Sequence, residues 1–330
     1  MVEKKRVVIT FPLDPYEITD YDKHVKHFEQ KGYEVILDRR FRCLEQNELI
    51  ELLQKYNAYA YIFSGERIDK KIIETCPTVK LYVKMGVGLD KVDVDACTVL
   101  GVTVANTPSA NSEAVAEYAV SMMLTLSRRI IMFDNSMRQG DFSKAFGTCL
   151  LRKTLGIIGF GNIGKHVAKL VQGFDMRVLV YDVHKDEEYA NEYGCTFVSL
   201  EKLLKESDFI TIHVPLLDET RNMISTKEFD MMKSGAQLCN CARGGIVDEQ
   251  AMITALKSGK LKGAALDTFN EEPLPSTSEL YKLKNVIISP HIAGMTYESR
   301  SKVVQMAFQN IIEFSEGSMP FGAVNWKLHG

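Results

Sequence analysis

Short apolar runs recur along the first third of the chain, each followed by a segment whose apolar residues return at helical spacing. Arg6–Phe11, Glu34–Leu37, Ala58–Phe63, Val79–Met85 and Val102–Ala105 read as strands, with helices at Asp20–Lys31, Gln46–Lys55, Lys70–Thr75 and Asp93–Leu100 between them. This alternation predicts a parallel sheet covered by helices. Asn106-Thr-Pro-Ser-Ala-Asn-Ser112 breaks it with turn and capping residues, and an amphipathic helix from Ser112 to Arg129 follows. Residues 130 to 150 carry no clear period and read as an irregular arm that a partner subunit would cover. From residue 153 the pattern resumes, with strands at Leu155–Ile158, Arg177–Tyr181, Cys195–Val198, Phe209–Val214, Gln237–Cys241, Lys262–Leu266 and Val286–Ser289. A last amphipathic helix runs from Thr296 to Glu316. The expected class is α/β with two doubly wound parallel-sheet domains. Crossings near 108 and 295 divide the chain into 1–108, 109–295 and a C-terminal helix in 296–330 that returns to the first lobe.

One stretch of this pattern carries chemistry. Strand Leu155–Ile158 runs into Gly159-x-Gly161-x-x-Gly164, an amphipathic segment follows from Asn162 to Phe174, and the next strand ends on Asp182. That carboxylate falls about 20 residues beyond the glycines, where a dinucleotide-binding βαβ unit needs one. Three glycines alone are often only a structural turn; here strand, helix, second strand and acid stand in register. The helix N-terminus offers N–H groups and partial positive charge to phosphates. Asp182 would accept from both ribose hydroxyls and repel a 2′-phosphate, which favours NAD over NADP.

Composition narrows the partners. At 330 residues and 45% apolar, the chain is long enough for two cores. With a net charge of −3 and no run of five or more like charges, no nucleic-acid partner is expected. The basic-then-apolar start through Phe11 is a strand's length, and Asp14 and Glu17 follow with no small-residue cleavage site, so it is not read as a signal peptide. The apolar stretch Ala114–Met132 carries Glu117, Arg128 and Arg129, so no membrane span is expected. Seven cysteines, mostly in predicted strands and helices, suit buried, reduced thiols in the cytoplasm. Cys239 and Cys241 are expected on opposite faces of their strand and as a poor metal pair; no metal site is expected.

Three further strands end in polar residues, where open α/β sheets bind ligands. The first leads to Arg243 and two glycines, so that the guanidinium can turn into a crevice and hold a carboxylate in charge-assisted bonds worth about 1.5–3 kcal/mol. The plain alternative is an arginine bracing Asp248 or Glu249. The second strand leads to Asp267 and on to Glu271-Glu272-Pro, the third to Ser289-Pro-His291. An imidazole titrates near neutral pH and suits a reaction in which a carbonyl gains a proton as it accepts hydride. Glu271 and Glu272 are both candidates to pair with it; spacing does not choose.

Gly159-x-Gly161-x-x-Gly164, Asn240-Cys-Ala-Arg243-Gly-Gly-Ile-Val-Asp-Glu249, Asp267-Thr-Phe-x-x-Glu272-Pro and Ser289-Pro-His291-Ile-Ala-Gly together resemble the D-isomer-specific 2-hydroxyacid dehydrogenases, especially the branch containing phosphoglycerate dehydrogenase. The likeness extends to Met85-Gly-Val-Gly-Leu-Asp90 and Ala105-Asn-Thr-Pro108. It implies an NAD-binding Rossmann domain inserted into a flavodoxin-like substrate domain, a homodimer, and NAD-dependent interconversion of a 2-keto acid and a D-2-hydroxy acid. It implies that Arg243 orients the substrate carboxylate and carbonyl, that His291 is the acid/base, and that Glu272 pairs with it. The cofactor site would comprise Gly159, Gly161, Asn162, Ile163 and Gly164 at the pyrophosphate turn and Asp182 at the ribose. His213, Pro215, Thr220 and Cys241 would line the adenosine and phosphate side. Ala242, Arg243, His291 and Gly294 would also line the cofactor, and Asp267 would meet the nicotinamide amide. The amides of Val87 and Gly88 would complete the carboxylate site.

The chain departs from that branch at two positions expected near the substrate. Phe63, before Ser64, stands where phosphoglycerate-type relatives carry an arginine, and Lys84 stands where arginine is common. A lysine offers a point charge without the fork. Phe63 suggests either a more apolar substrate tail or a core side chain. Three alternatives to the expected reaction remain: phosphoglycerate dehydrogenase proper, a dinucleotide-gated corepressor-like scaffold on the same fold, and an enzyme of the same superfamily acting on a donor such as formate or phosphite.

Overall fold

The computed structural model describes residues 4–11, 20–40 and 42–326; Asp14 and Glu17 lie outside them. The chain forms two compact units, Met1–Asn111 with Met295–Gly330, and Ser112–Gly294.

In the first unit β1 (Lys5–Thr10), β2 (Tyr33–Asp38), β3 (Ala60–Phe63), β4 (Leu81–Lys84) and β5 (Thr103–Ala105) form a parallel sheet in the order β2-β1-β3-β4-β5, the flavodoxin-like order. α1 (Tyr21–Gln30), α2 (Gln46–Lys55), α3 (Lys70–Thr75) and α4 (Val94–Val99) connect the strands, and the chain's last helix, α12 (Tyr297–Ser315), completes the unit. Every residue of β3 is buried because the sheet is covered on both faces. Ala60 and Ile62 join a layer with Phe28, Val304, Ala307, Phe308 and Ile311, while Tyr61 and Phe63 join the opposite layer with Leu49 and Leu53. The α12 residues in the first layer recur at helical spacing, which is why this helix belongs here. Phe28 stacks between Tyr33 and Phe308, with centroids at 4.1 and 4.4 Å.

In the second unit β6 (Thr154–Ile158), β7 (Arg177–Tyr181), β8 (Cys195–Phe197), β9 (Phe209–Ile212), β10 (Ala236–Asn240), β11 (Leu261–Leu266) and β12 (Val286–Ile288) are parallel in the order β12-β11-β10-β9-β6-β7-β8. This is the dinucleotide-binding order extended by a seventh strand, with its switch point between β6 and β9. The other elements are α5 (Ser112–Arg128), α6 (Ile130–Arg138), α7 (Asn162–Leu170), α8 (Glu187–Glu192), α9 (Leu200–Glu206), α10 (Thr226–Met231) and α11 (Glu249–Lys257). α5 packs on α7 and β10.

Four expectations are corrected. The arm read as irregular from 130 to 150 begins with helix α6, set off from α5 by Arg129 in a left-handed conformation (φ 56°). None of its residues is buried, so its apolar positions face no core of this chain and gave no readable stripe. The helix expected to reach Phe174 ends at Leu170 and tightens into a 3₁₀ turn over Val171–Phe174. Cys239 and Cys241 lie with sulfurs 3.8 Å apart, since side chains two apart along a strand share a face. The cysteines, expected to be buried, are all free, but Cys43 and Cys149 are exposed.

Phe28→Ala removes a fully buried ring from an aromatic stack, and a cost of about 3–5 kcal/mol is expected in chemical denaturation. A loss below about 1 kcal/mol would show that α1 and α12 do not carry the core of the first unit.

Candidate active site

The glycine turn after β6 is built from close backbone approaches. Gly159 has φ +95°, and a Cβ on Gly164 would lie 2.1 Å from the Gly159 carbonyl oxygen. Helix α7 therefore starts directly against the turn. Gly161 is different: nothing lies within 4 Å of where its Cβ would be, so the backbone is open to a ligand at the helix N-terminus. Asn162 and Ile163 form the first turn of that helix. Asp182, just past β7, accepts from the Phe160 N–H at 2.6 Å and the His184 N–H at 2.9 Å, which ties the carboxylate to the turn. A carboxylate accepts about four bonds, so capacity remains for ribose hydroxyls.

Across the switch point, the main chain of His213 lies against Gly159, where a Cβ would come within 2.6 Å of the His213 carbonyl carbon. Burial lowers the His213 pKa to about 3, so its ring is neutral. Nε2 meets the Thr211 hydroxyl at 2.9 Å, and Nδ1 is buried with no partner among the described residues. A buried polar atom of that kind is costly unless something else bonds it. Thr220 donates to the Pro215 carbonyl at 2.6 Å and accepts from the Leu217 N–H, which closes the loop that carries both. Open backbone at Gly161, an acid at the end of β7 and an orphaned ring nitrogen together fit an adenine dinucleotide.

The ends of β10, β11 and β12 bring the acid/base candidates together. The His291 Nδ1 lies 2.8 Å from a Glu272 carboxylate oxygen; the other oxygen accepts from the Phe269 N–H at 3.1 Å. Glu272, and not Glu271, is therefore the partner. Burial raises the Glu272 pKa, but the bond to His291, its charge, the Phe269 N–H and the charge of Arg243 outweigh that and hold the value below the ordinary carboxylate range. Arg243 thus acts in the same small volume. Gly244, its neighbour, packs so closely on the 269–270 backbone that a Cβ would lie 2.0 Å from the Phe269 carbonyl carbon. One Arg243 Nη donates to the Ala242 carbonyl at 2.7 Å. His291 has φ 54°, a conformation rare for a non-glycine residue and typical of functional turns.

Asp267, expected at the nicotinamide amide, is fully buried and accepts from Ser289 Oγ (2.6 Å), Ile292 N–H (2.9 Å) and Ala293 N–H (2.8 Å). Cys241 is nearly buried, with its thiol pKa pushed up by its bond to Cys239 and by burial. Asn240 and Ser289, which sequence reasoning gave no role, are bonded to the turns that carry Arg243 and His291. The signal available was a polar residue closing an apolar strand.

In the first unit, the loop after β4 leaves Val87 exposed, and among the described residues the N–H groups of Val87 and Gly88 have no partner. Thr107 Oγ1 accepts from Gly86 N–H at 2.7 Å and fixes the loop's start; Lys84 Nζ donates to the Met85 carbonyl at 2.8 Å. Ser64 is half-buried and its N–H bonds the buried Glu66. Phe63 is a correction: it is fully buried and stacks on Tyr61 at 5.3 Å, because a central strand covered on both faces sends both of these rings into one core layer. It lines no ligand surface. Among the described residues no group of three or more His, Cys, Asp or Glu side chains is arranged to hold a metal, and no helix is long and apolar enough to cross a membrane.

Residues 120–293 match the family described as D-isomer specific 2-hydroxyacid dehydrogenase, NAD binding domain. The chain is 38% identical over 305 residues to a glyoxylate reductase of Thermococcus litoralis, covering 90% of this chain and 92% of that one. It is also 38% identical over 284 residues to a D-3-phosphoglycerate dehydrogenase of Synechocystis sp., covering 86% of this chain but 51% of that one. Among solved structures, the D-lactate dehydrogenase from Aquifex aeolicus complexed with NAD and lactic acid aligns with a TM-score of 0.82 at 30% identity, over 97% of this chain and 99% of that one.

Because the folded pKa of Glu272 is depressed, its contribution to stability is fully present above the unfolded carboxylate value of about 4.3 and is lost as pH falls through the lower folded value. Denaturation midpoints should therefore place wild type above Glu272→Gln at pH 5 to 7, with the gap closing below pH ~4. A gap that widens toward acid would contradict the sign of the coupling.

Proposed function

The chain belongs to the D-isomer specific 2-hydroxyacid dehydrogenase family, and from that premise we propose that its substrate is a small 2-keto acid of the glyoxylate or pyruvate size. The protein is an NAD-dependent oxidoreductase that interconverts 2-keto and D-2-hydroxy acids. The observation that carries the residue assignment is the 2.8 Å bond between His291 and Glu272 beside the charge of Arg243.

A nicotinamide cofactor, when bound, would supply or take the hydride. Arg243 grips the substrate carboxylate and fixes the carbonyl, since a guanidinium presents a fork of donors to planar anions. His291 gives a proton from Nε2 to the substrate oxygen as charge develops on it. Glu272 accepts at Nδ1, which sets the ring's tautomer and orientation. The Val87 and Gly88 amides are proposed as carboxylate donors of the first unit, with Ser64 and Lys84 as substrate contacts. The small-tail reading rests on Phe63: a buried phenyl ring stands where phosphoglycerate-type relatives would carry a phosphate-binding cation. The glyoxylate reductase of Thermococcus litoralis supports the same reading. Domain roles follow, with the second unit binding NAD and the first binding substrate. A cytoplasmic homodimer is also proposed. Its support is the exposed apolar face of α6 and the following segment, where Ile130, Ile131, Met137, Phe142 and Phe146 are all exposed.

NADH oxidation on a panel of 2-keto acids should give its highest kcat/KM on glyoxylate or pyruvate and a far lower value on a 3-phosphorylated keto acid. No turnover on any of them, with NADH bound tightly, would favour a dinucleotide-gated scaffold instead. His291→Ala should lower kcat by about 10²–10⁴-fold with NADH binding intact; near-normal turnover would refute its role. Light scattering should give twice the chain mass, and a monomer would remove the dimer.

A further inference from the structure

β10 ends on Asn240, which is 1% exposed. Its side-chain amide bonds neither neighbouring strand. Nδ2 donates to the Arg243 carbonyl at 2.8 Å, and Oδ1 accepts from the Ala242 N–H at 3.0 Å. One buried side chain thus closes the turn over 240–243 and sets the direction in which Arg243 leaves the sheet.

The next strand repeats the device for the other catalytic side chain. The Asp267 N–H donates to the Asn240 carbonyl at 3.0 Å, so the two strand ends are joined. The Asp267 carboxylate takes the Ser289 hydroxyl on one side of His291 and the Ile292 and Ala293 N–H groups on the other. The Ser289 N–H is anchored to the Leu266 carbonyl, and the His291 N–H donates to the Ser289 carbonyl, both at 3.0 Å. Residue 291 is bracketed from both sides while its backbone stays left-handed.

We propose that Asn240 and Ser289 are positioning residues for the reaction, Asn240 for Arg243 and Ser289, through Asp267, for His291. The proposal deepens the functional reading above and rests on it. A guanidinium that grips the carboxylate governs substrate binding, whereas an imidazole that transfers the proton governs turnover. Loss of the two clamps therefore separates in the kinetics, which a general structural role does not predict.

The test uses the full-length enzyme with NADH and glyoxylate. Asn240→Asp keeps the acceptor for Ala242 and loses the donor to Arg243; Asn240→Ser serves if it does not fold. Either is expected to raise the glyoxylate KM on the order of 10-fold with kcat within about threefold. Ser289→Ala is expected to lower kcat on the order of 10-fold with KM nearly unchanged, and Ser289→Thr, which keeps the hydroxyl, to restore most of it. NADH affinity by fluorescence titration should hold throughout. The proposal is overturned if kcat and KM move together in both variants in step with lost thermal stability, or if Ser289→Thr is no better than Ser289→Ala. Absence of turnover by wild type on every 2-keto acid overturns the functional reading and this proposal with it. An active wild type without the kinetic split overturns the proposal alone.

Discussion

A carboxylate with no exposure to solvent sits just past β11, and burial of a charge is tolerated only when donors surround it. Asp267 finds them in the turn that follows β12. Much of the site follows from that requirement. β11 and β12 must pair as Ala264 with Val286, Ala265 with Ile287 and Leu266 with Ile288, because any other register would carry Ser289 away from the acid. The turn then wraps the carboxylate, and His291, which bonds none of its oxygens, is left projecting on a backbone that few L-residues adopt. Its side chain is about half exposed, yet its partner is fixed at 2.8 Å. The site is held rigid from beneath and stays open above, which suits a group that must meet a ligand.

The elements that the sequence made legible are those whose periodicity has a core to answer to. Gln46–Lys55, Lys70–Thr75 and Arg177–Tyr181 end where the pattern ends, because burial and capping agree there: Asp69 caps α3 through the Ile72 N–H. The glycine turn was legible for a different reason. Gly159 and Gly164 answer steric demands of about 2–3 Å that no other residue meets, so chemistry and composition coincide. Strand ends were drawn too long at Val214, Cys241 and Ser289. Val214 and Cys241 are apolar residues past the last paired residue of their strands, and Ser289 still bonds the Leu266 carbonyl but lies where the chain turns toward the site, so hydrophobicity no longer reports pairing there.

What the pattern hid was tertiary. Helix α6 has apolar side chains and no buried residue, so the rule that links a stripe to a core had nothing to act on within one chain. The choice between Glu271 and Glu272 depended on a turn in which the Phe269 N–H and His291 converge on one carboxylate. Asn240 was in plain view within its motif, yet a buried amide reads as strand until its partners are known. Its two bonds run forward along the chain, which is the behaviour of a residue that favours turns over ladders.

Phe63 shows how class and substrate come apart. The residues proposed to react, Arg243, Glu272 and His291, all lie in the second unit, past strand ends fixed by backbone register and buried polar atoms, so on that assignment their types answer to chemistry that every 2-keto acid shares. The side chain at position 63 is constrained by its own core instead: on a central strand sandwiched between layers, a phenyl ring against Tyr61 stabilises the sheet by excluding water. An arginine there would have to find an anion or unfold the layer. Under the proposed assignment of the first unit to substrate, a substituent on the third carbon of a keto acid would meet no charge from this strand.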